Sequence, residues 1–338
     1  MDSAFDPAAK ERQLRQESDA WDTSRPVPAE PGDVPVIDLG PYLADGDPAE
    51  LGRAADRLRE ASEEVGFWQL VGHGVPTAVT DGILDEARRF HDLPVALRRT
   101  IEMDRPGWPI GGSGYLPVGE RKLPRRAQGN VNEAFLLKSD IDIDFDDNQW
   151  LPESDLPGFR ATVEAYARTM EDLALRLLPV YATAFDLPAD HFTPGFTDPF
   201  WRLRLTRYPP AEAAVGPDDA FGIAPHVDTT FITLLLPDGP GLTIYSHRRS
   251  CWITVPLVPG AFVVNSGELL KQWSNDRVLS TRHFANNTAP HDRYAVPFFF
   301  NATSTYPMEC LPTCHGPDNP PRYPTISYRE SQAAVQGE

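Results

Sequence analysis

The stretch APHVDTTFITLLLPDGP, residues 224–240, decides the fold of this chain. It places His226 and Asp228 two residues apart at the start of an apolar run that is typical of a β-strand. Side chains at positions i and i+2 of a strand point to the same face, so the imidazole and the carboxylate can converge on one metal ion. A His-x-Asp triplet alone is a weak signal, because a chain with 8 histidines and many aspartates contains such triplets by chance.

A second histidine strengthens the interpretation as a metal site. His283 lies in another strand-like stretch, LSTRHFAN (279–286), and Arg293 follows ten residues later at the head of RYAVPFFFN. Two neutral imidazoles and one carboxylate on one face of a metal leave other coordination positions open, as in non-haem Fe(II) oxygenases. The sequence therefore predicts a metal site formed by His226, Asp228 and His283.

Composition limits the classes of function that fit the chain. Of its 338 residues, 41% are hydrophobic and 24% are charged, which are ordinary values for a globular enzyme. With 49 acidic residues against 31 basic ones, the formal net charge is −18. Because this charge repels nucleic-acid phosphates and anionic membrane surfaces, we expect neither as a partner. A small-molecule substrate is the expected partner.

The lack of a recognisable targeting pattern and the arrangement of the cysteines predict a cytoplasmic location. The N-terminus lacks a basic start followed by an apolar core, and no apolar run approaches the roughly 18 residues of a membrane span. Cys310 and Cys314 bracket three residues and could form a redox pair. Reduced thiols in a cytoplasmic protein are the ordinary alternative, which we favour for all three cysteines.

The pattern of the chain changes along its length. Residues 1–33 are polar and end in a proline-rich linker, and residues 34–190 combine short strands with helical segments. Helices are predicted from apolar spacing over residues 48–65, 77–90 and 159–185. Residues 191–330 contain many short strands separated by Pro and Gly, which is typical of a jelly roll or a double-stranded barrel. The sequence thus predicts one α+β unit, with an N-terminal helical layer packed on a jelly-roll core.

Other motifs have simpler interpretations. The glycine-rich stretch 107–119 lacks the Gly-Lys-Ser/Thr of a phosphate-binding loop. The aspartate run at 140–151 lacks the glycine and glutamate that a calcium-binding loop needs at its sixth and twelfth positions. His73, between two glycines, is more typical of a structural hydrogen-bonding histidine than of a metal ligand. None of these motifs competes with the predicted metal site.

Taken together, these stretches resemble the 2-oxoglutarate- and Fe(II)-dependent dioxygenases, in the branch that includes isopenicillin N synthase. The resemblance runs from about residue 34 to 328. It is carried by VPVIDLG, GFWQLVGHGVP, LRLTRYPP, the HVD triplet with its second histidine, NSGELLKQWSNDRVLSTRHFANN and RYAVPFFF. It implies a double-stranded β-helix core, Fe(II) bound by His226, Asp228 and His283, and 2-oxoglutarate and O₂ as co-substrates.

The resemblance also implies how 2-oxoglutarate is held. Arg293 presents a planar fork suited to the far carboxylate of this molecule, and Tyr208 in RLTRYPP reaches it by the family pattern. The family usually has serine two residues after the arginine, where this chain has Ala295. We therefore expect 2-oxoglutarate binding at Ala295 to differ in detail from that of the family.

The substrate pocket is predicted from fewer signals. Large aromatic residues are typical of a hydrophobic core first and of a pocket second. Phe231, three residues after Asp228, is the best candidate to face the substrate. Asn132 and Phe300 are the other residues that we predict for the pocket.

Three functions agree with these residues. The first is an oxygenase that hydroxylates, desaturates or cyclises a small molecule, in bacterial specialised metabolism as the lysine-poor, arginine-rich composition suggests. The second is an Fe(II) oxidase or cyclase like isopenicillin N synthase, which needs no 2-oxo acid. The third is a metal-binding jelly roll without turnover.

Overall fold

The structure is a computed structural model that describes residues 26–103, 112–119, 129–140, 147–210 and 221–336. The α-helices of this part of the chain are α1 (Gly40–Asp45), α2 (Pro48–Glu64), α3 (Thr77–Asp92), α4 (Val95–Arg98), α5 (Phe159–Ala184), α6 (Glu268–Trp273) and α7 (Tyr328–Gln336). The β-strands are β1 (Val27–Pro28), β2 (Val36–Asp38), β3 (Phe67–Val71), β4 (Gly114–Leu116), β5 (Glu133–Ser139), β6 (Phe200–Tyr208), β7 (Ile223–His226), β8 (Ile232–Pro237), β9 (Leu242–Ser246), β10 (Cys251–Thr254), β11 (Phe262–Ser266), β12 (His283–Ala285) and β13 (Arg293–Asn301).

The strands form two sheets. The large sheet has the order β2-β3-β11-β8-β13-β6-β5-β4, and the small sheet has the order β1-β10-β9-β12-β7. From β7 to β9 and from β10 to β13, successive strands alternate between the two sheets. This alternation is the pattern of a jelly roll. The structure therefore confirms the predicted α+β fold with a double-stranded β-helix core.

A helical layer covers the outer face of the large sheet. Helix α3 packs on β6 and β13, and α2 and α3 both pack on α5. Apolar residues recur every three or four positions along α5 and are buried, among them Val163, Tyr166, Met170, Leu173 and Leu177. Burial of this stripe against the sheet forms the main core. The predicted N-terminal helical layer is therefore present, and its three predicted helices correspond to α2, α3 and α5.

The inner face of the large sheet points toward the small sheet and lines a cavity. Strand β13 directs four side chains into this cavity, namely Arg293, Ala295, Pro297 and Phe299. The alternate residues of β13 belong to the core under the helices, namely Tyr294, Val296, Phe298 and Phe300. On β6, the inward side chains are Arg204, Thr206 and Tyr208. Strand alternation thus decides which side chains can reach the site.

The N-terminal segment contributes strands as well as helices. Strands β2 and β3 extend the large sheet beyond β11, and β4 and β5 extend it beyond β6. The predicted segments 34–190 and 191–330 of the one α+β unit share one sheet, and the division between them near residue 190 stays a prediction. The extension 1–33 is described only from residue 26 onward. In the described ranges, no helix combines the length and the apolar character needed to cross a bilayer.

Candidate metal and co-substrate site

His226, Asp228 and His283 converge at one point between the sheets. His226 ends β7 and His283 begins β12, and the pairing of these strands sets the two histidines opposite each other. Nε2 of His226 lies 3.6 Å from Oδ1 of Asp228, and Nε2 of His283 lies 3.7 Å from the same oxygen. The ligand atoms of all three residues lie within 4.8 Å of one another. The structure thus brings the three predicted metal ligands together.

Backbone carbonyls orient both imidazoles. Nδ1 of His226 is 2.8 Å from the carbonyl oxygen of Ala224, and Nδ1 of His283 is 3.1 Å from that of Thr281. A carbonyl oxygen only accepts hydrogen bonds, so Nδ1 carries the hydrogen in each ring. The lone pair of each Nε2 then points toward Asp228, which is the tautomer that binds a metal through Nε2.

The carboxylate of Asp228 is held from its other side. Its Oδ2 accepts hydrogen bonds from Oγ1 of Thr233 at 2.8 Å and from Nδ2 of Asn265 at 3.0 Å. Burial acts to raise the pKa of Asp228, but the positive charge that each imidazole carries when it is protonated, a hydrogen bond from protonated His226 and the Asn265 amide outweigh burial and hold the pKa well below its usual range. The carboxylate is therefore ionised, and together with two neutral imidazoles it forms a donor set that suits Fe(II).

His283 is adapted to remain neutral. It is 7% exposed, and burial lowers its pKa to about 4, with a further lowering by the His226 imidazole. Asp228 and the Thr281 carbonyl act in the opposite direction and are outweighed. The edge of the Phe67 ring packs on the imidazole, with ring centres 5.2 Å apart. His283 therefore offers an uncharged ligand atom throughout the neutral pH range.

The metal-free protein should lose stability in mild acid because of His283. Its folded-state pKa of about 4 lies below the roughly 6.5 of an exposed histidine. Between these values the unfolded chain binds a proton that the folded chain does not bind. The stabilisation is fully present above about pH 6.5 and falls as the pH drops toward 4, by about 3 kcal/mol in total. Urea unfolding of the metal-free protein between pH 7 and 4.5 measures this loss.

The His283→Asn variant is the control for this pH dependence. Its side chain is neutral at every pH, so this part of the slope should disappear. Asp228 contributes little in the same window, since its depressed pKa affects stability only below the roughly 3.9 of an unfolded aspartate. Equal slopes in the wild type and the variant would contradict a buried, neutral His283.

Arg293 and Tyr208 face the same cavity as the metal-binding group. They are cross-strand partners on β13 and β6, and the Arg293 guanidinium carbon lies 4.8 Å from the centre of the Tyr208 ring. Nε of Arg293 donates to the carbonyl of Gly239 at 3.1 Å. Nη1 is buried and has no hydrogen-bond partner among the described residues. Arg293 thus retains a donor for a ligand inside the cavity.

Ala295 also faces the cavity. It pairs directly with Thr206 of β6, and both side chains line the cavity wall. Thr206 therefore brings a hydroxyl group next to the position where the family usually has serine. The sequence analysis missed Thr206, although its position two residues before Tyr208 places it on the same strand face.

Two residues predicted for the substrate pocket lie elsewhere. Phe231 is 1% exposed, and its ring packs on Tyr181, Phe192, Phe196 and Trp273 under the helical layer. Phe300 is fully buried and stacks on Phe196 with ring centres 5.2 Å apart. Both predictions were wrong, because these side chains belong to the core. On β13 it is Phe299 that lines the cavity.

Asn132 lies behind the cavity wall. Its Nδ2 donates to the carbonyl of Gly222, and its Oδ1 accepts from Nη2 of Arg204 at 3.4 Å. Arg204 itself lines the cavity. A role for Asn132 in substrate binding stays a prediction.

Comparisons with known sequences agree with this geometry. The family model for the non-haem dioxygenase in morphine synthesis N-terminal region matches residues 34–153, and that for the 2OG-Fe(II) oxygenase superfamily matches residues 200–302. The chain is 30% identical over 294 residues to the 2-oxoglutarate-dependent dioxygenase citB of Monascus ruber, covering 82% of this chain and 87% of that protein. It is 29% identical over 308 residues to the 2-oxoglutarate-Fe(II) type oxidoreductase hxnY of Emericella nidulans, covering 88% and 87%.

A solved structure shares the fold. A full-length Neurospora crassa protein, crystallised in complex with alpha-KG and thymine, superposes with a TM-score of 0.80 at 22% identity, covering 90% of this chain and 97% of that one. The chain belongs to the 2OG-Fe(II) oxygenase superfamily, in its isopenicillin N synthase-like branch. It is a dioxygenase that uses Fe(II) and 2-oxoglutarate. These three relatives are fungal, so they give no support to the bacterial source suggested by the composition.

Proposed function

We propose that His226, Asp228 and His283 bind the Fe(II) of this dioxygenase, and that Arg293 and Tyr208 hold the far carboxylate of 2-oxoglutarate. One observation carries the proposal. Both Nε2 atoms and the free Oδ1 of Asp228 point to one place in a cavity that also contains an unused donor of Arg293. Fe(II) bound at this place supplies O₂ activation with 2-oxoglutarate as the co-substrate.

The residues of the chain have separate tasks in this proposal. Two neutral imidazoles and one ionised carboxylate leave the Fe(II) centre with one net positive charge and with free positions for a chelating 2-oxo acid. Arg293 fixes the far end of the co-substrate through charge-assisted hydrogen bonds. The apolar part of the wall, formed by Phe67, Ile223, Leu235, Leu242, Pro297 and Phe299, limits access of water.

The proposed reaction is the oxidation of a C–H bond in a small molecule. In a hydroxylation, 2-oxoglutarate loses CO₂ and becomes succinate, so that one oxygen atom of O₂ enters succinate and the other enters the product. In a desaturation or a cyclisation, the second oxygen atom leaves as water. The resemblance to isopenicillin N synthase and the match to the morphine-synthesis family model support a role in specialised metabolism.

A cytoplasmic location is part of the same proposal. Cys251, Cys310 and Cys314 are all unpaired in the structure. Unpaired thiols are the ordinary state in a reducing compartment.

Anaerobic titration of the Fe(II) protein with 2-oxoglutarate tests the proposed function. Chelation by the 2-oxo acid should produce a visible charge-transfer band, and admission of O₂ should then release succinate. The matched control is Asp228→Ala, which should show neither signal. An Fe(II)-loaded protein that gives no band would favour the alternative oxidase, and a band without succinate on addition of O₂ would favour a metal-binding protein without turnover.

Thr206 should compensate for the missing serine at position 295. A hydrogen bond to a charged group contributes about 1.5–3 kcal/mol, so Thr206→Val is expected to weaken 2-oxoglutarate binding by about tenfold or more. Ala295→Ser alone should tighten binding by less than tenfold, because Thr206 already places a hydroxyl beside it. In the Thr206→Val background, Ala295→Ser should restore most of the lost affinity. Anaerobic titration of the charge-transfer band gives all four dissociation constants.

The double variant decides between two roles of Thr206. Failure of Ala295→Ser to improve binding in the Thr206→Val background would mean that the two side chains do not serve the same carboxylate. An unchanged affinity in Thr206→Val itself would contradict any role of Thr206 in holding 2-oxoglutarate.

A further inference from the structure

A second buried arginine faces the cavity. Arg204 lies on β6 two residues before the inward-facing Thr206, and it is 2% exposed. The register of the two strands places Pro297 of β13 opposite Arg204, and Pro297 lines the same cavity. The cavity therefore contains two guanidinium groups, those of Arg204 and Arg293, beside the three predicted iron ligands.

The guanidinium of Arg204 has few hydrogen-bond partners among the described residues. In the described ranges its hydrogen bond is the long one from Nη2 to Oδ1 of Asn132, at 3.4 Å. Its Nε is buried and has no hydrogen-bond partner there. No carboxylate of the described chain forms an ion pair with it, whereas Arg207 on the opposite face of the same strand contacts both Glu133 and Asp292. A buried charge without a counter-charge destabilises the fold. Its presence in a cavity wall therefore indicates that a bound ligand supplies the counter-charge.

The electrostatic environment supports an anionic ligand. Burial lowers the pKa of Arg204, and Arg202 acts in the same direction, while Tyr208 and Asp228 oppose this change. An arginine side chain nevertheless stays protonated in proteins. Asp228 is the acidic group among the cavity-lining residues, and its charge is directed at the iron position.

The bound co-substrate does not neutralise all the positive charge in the cavity. Fe(II) with Asp228 carries one net positive charge, and Arg293 and Arg204 add two more. The dianion 2-oxoglutarate, held by the iron and by Arg293, neutralises two of these three charges. One positive charge remains. It is that of Arg204, which contacts neither carboxylate of 2-oxoglutarate in this arrangement.

We infer that Arg204 binds a carboxylate of the substrate, and that the substrate is a small organic acid with one carboxylate and an apolar body. This inference rests on the proposed function. The guanidinium fork matches a planar carboxylate, with Nε and one Nη as parallel donors. The apolar body would contact the wall formed by Phe67, Leu235 and Phe299. Asn132 positions Arg204 by accepting a hydrogen bond from Nη2, which gives this predicted pocket residue an indirect role.

Binding of acid and amide pairs tests the inference. The probes are benzoate, phenylacetate, hexanoate and octanoate, each compared with its primary amide, added to the anaerobic Fe(II)–2-oxoglutarate protein. The readouts are the change in the charge-transfer band and the shift in Tm. We expect at least one acid to bind tenfold or more tightly than its amide. Arg204→Gln should remove this preference, leave amide binding unchanged, and change the dissociation constant of 2-oxoglutarate by less than twofold.

Two further variants keep the test decisive. Arg204→Lys retains the charge without the fork and should recover part of the acid preference, whereas Arg293→Leu should weaken 2-oxoglutarate instead. A wild-type protein that forms the band but binds no acid in preference to its amide overturns the inference and leaves the proposed function intact. A weakening of 2-oxoglutarate in Arg204→Gln also overturns it, because Arg204 would then serve the co-substrate. Absence of the band in the wild type is the separate failure of the proposed function.

Discussion

Replacement of Asp228 by alanine is expected to abolish turnover and to leave the protein unable to retain Fe(II) through dialysis. Asp228 is the anionic member of the metal-binding group, and its Oδ1 faces the Nε2 atoms of both histidines at 3.6 and 3.7 Å. Without it, two neutral imidazoles remain, and they cannot offset the charge of a divalent ion. The loss of iron affinity should exceed the 10–100-fold effect that is typical of removing a residue that hydrogen-bonds to a metal ligand. Iron content after dialysis and succinate release measure the two effects.

Asn265→Ala provides the matched control for this variant. It removes one donor to Oδ2 of Asp228 but keeps the carboxylate, its charge and the Thr233 hydrogen bond. Iron affinity should therefore fall by only about 10–100-fold, and activity should return at high Fe(II) concentration. Full activity of Asp228→Ala with stoichiometric iron would remove Asp228 from the set of ligands.

The metal-binding residues could be predicted because their spacing carries geometric information. His226 and Asp228 are two residues apart, and the spacing of a strand predicts that they lie on one side. The structure brings them together, although Asp228 lies just beyond the end of β7. The pairing that brings His283 opposite His226 is different, because it joins β7 to β12, which are far apart in the sequence. No local pattern encodes such a long-range pairing. The sequence predicts His283 as a ligand from its strand-like stretch and from the Arg293 that follows, but it does not predict the pairing itself.

The two errors in the substrate pocket have different physical origins. Phe231 follows Asp228 through a link outside the strands, between the end of β7 and the start of β8, so strand alternation gives no direction for its side chain. Phe300 could have been excluded from the sequence. An inward-facing Arg293 on a continuous strand implies that residues 295, 297 and 299 face inward and that residue 300 faces the core.

The place of the N-terminal segment in the fold could not be read from its own pattern. Short apolar stretches predicted its strands, but not that β2 and β3 would extend one edge of the large sheet and β4 and β5 the other. The same applies to Arg204 and Thr206. Their inward direction follows from Tyr208, but the absence of an acidic partner for Arg204 among the described residues depends on tertiary contacts that only the structure provides.

Replacement of Arg293 by leucine is expected to weaken 2-oxoglutarate binding by a factor of hundreds or more. The guanidinium is 3% exposed, held by the Gly239 carbonyl and the Tyr208 ring, with Nη1 free of described partners. In the leucine variant the far carboxylate of the co-substrate would enter a buried pocket without a counter-charge. Loss of one member of a buried ion pair costs about 3–5 kcal/mol, which corresponds to this change in the dissociation constant. Anaerobic titration of the charge-transfer band at saturating Fe(II) measures it directly.

Arg293→Lys separates the charge of this side chain from its shape. An ammonium group restores the counter-charge but cannot form two parallel hydrogen bonds to a carboxylate, so we expect only partial recovery of affinity. Tyr208→Phe removes the hydroxyl and keeps the aromatic face under Arg293; its effect therefore measures the contact of that hydroxyl with the co-substrate. Arg207 cannot replace Arg293, because it lies on the outer face of β6 in ion pairs with Glu133 and Asp292. An unchanged affinity in Arg293→Leu, combined with a large loss in Arg204→Gln, would assign the far carboxylate to Arg204 instead.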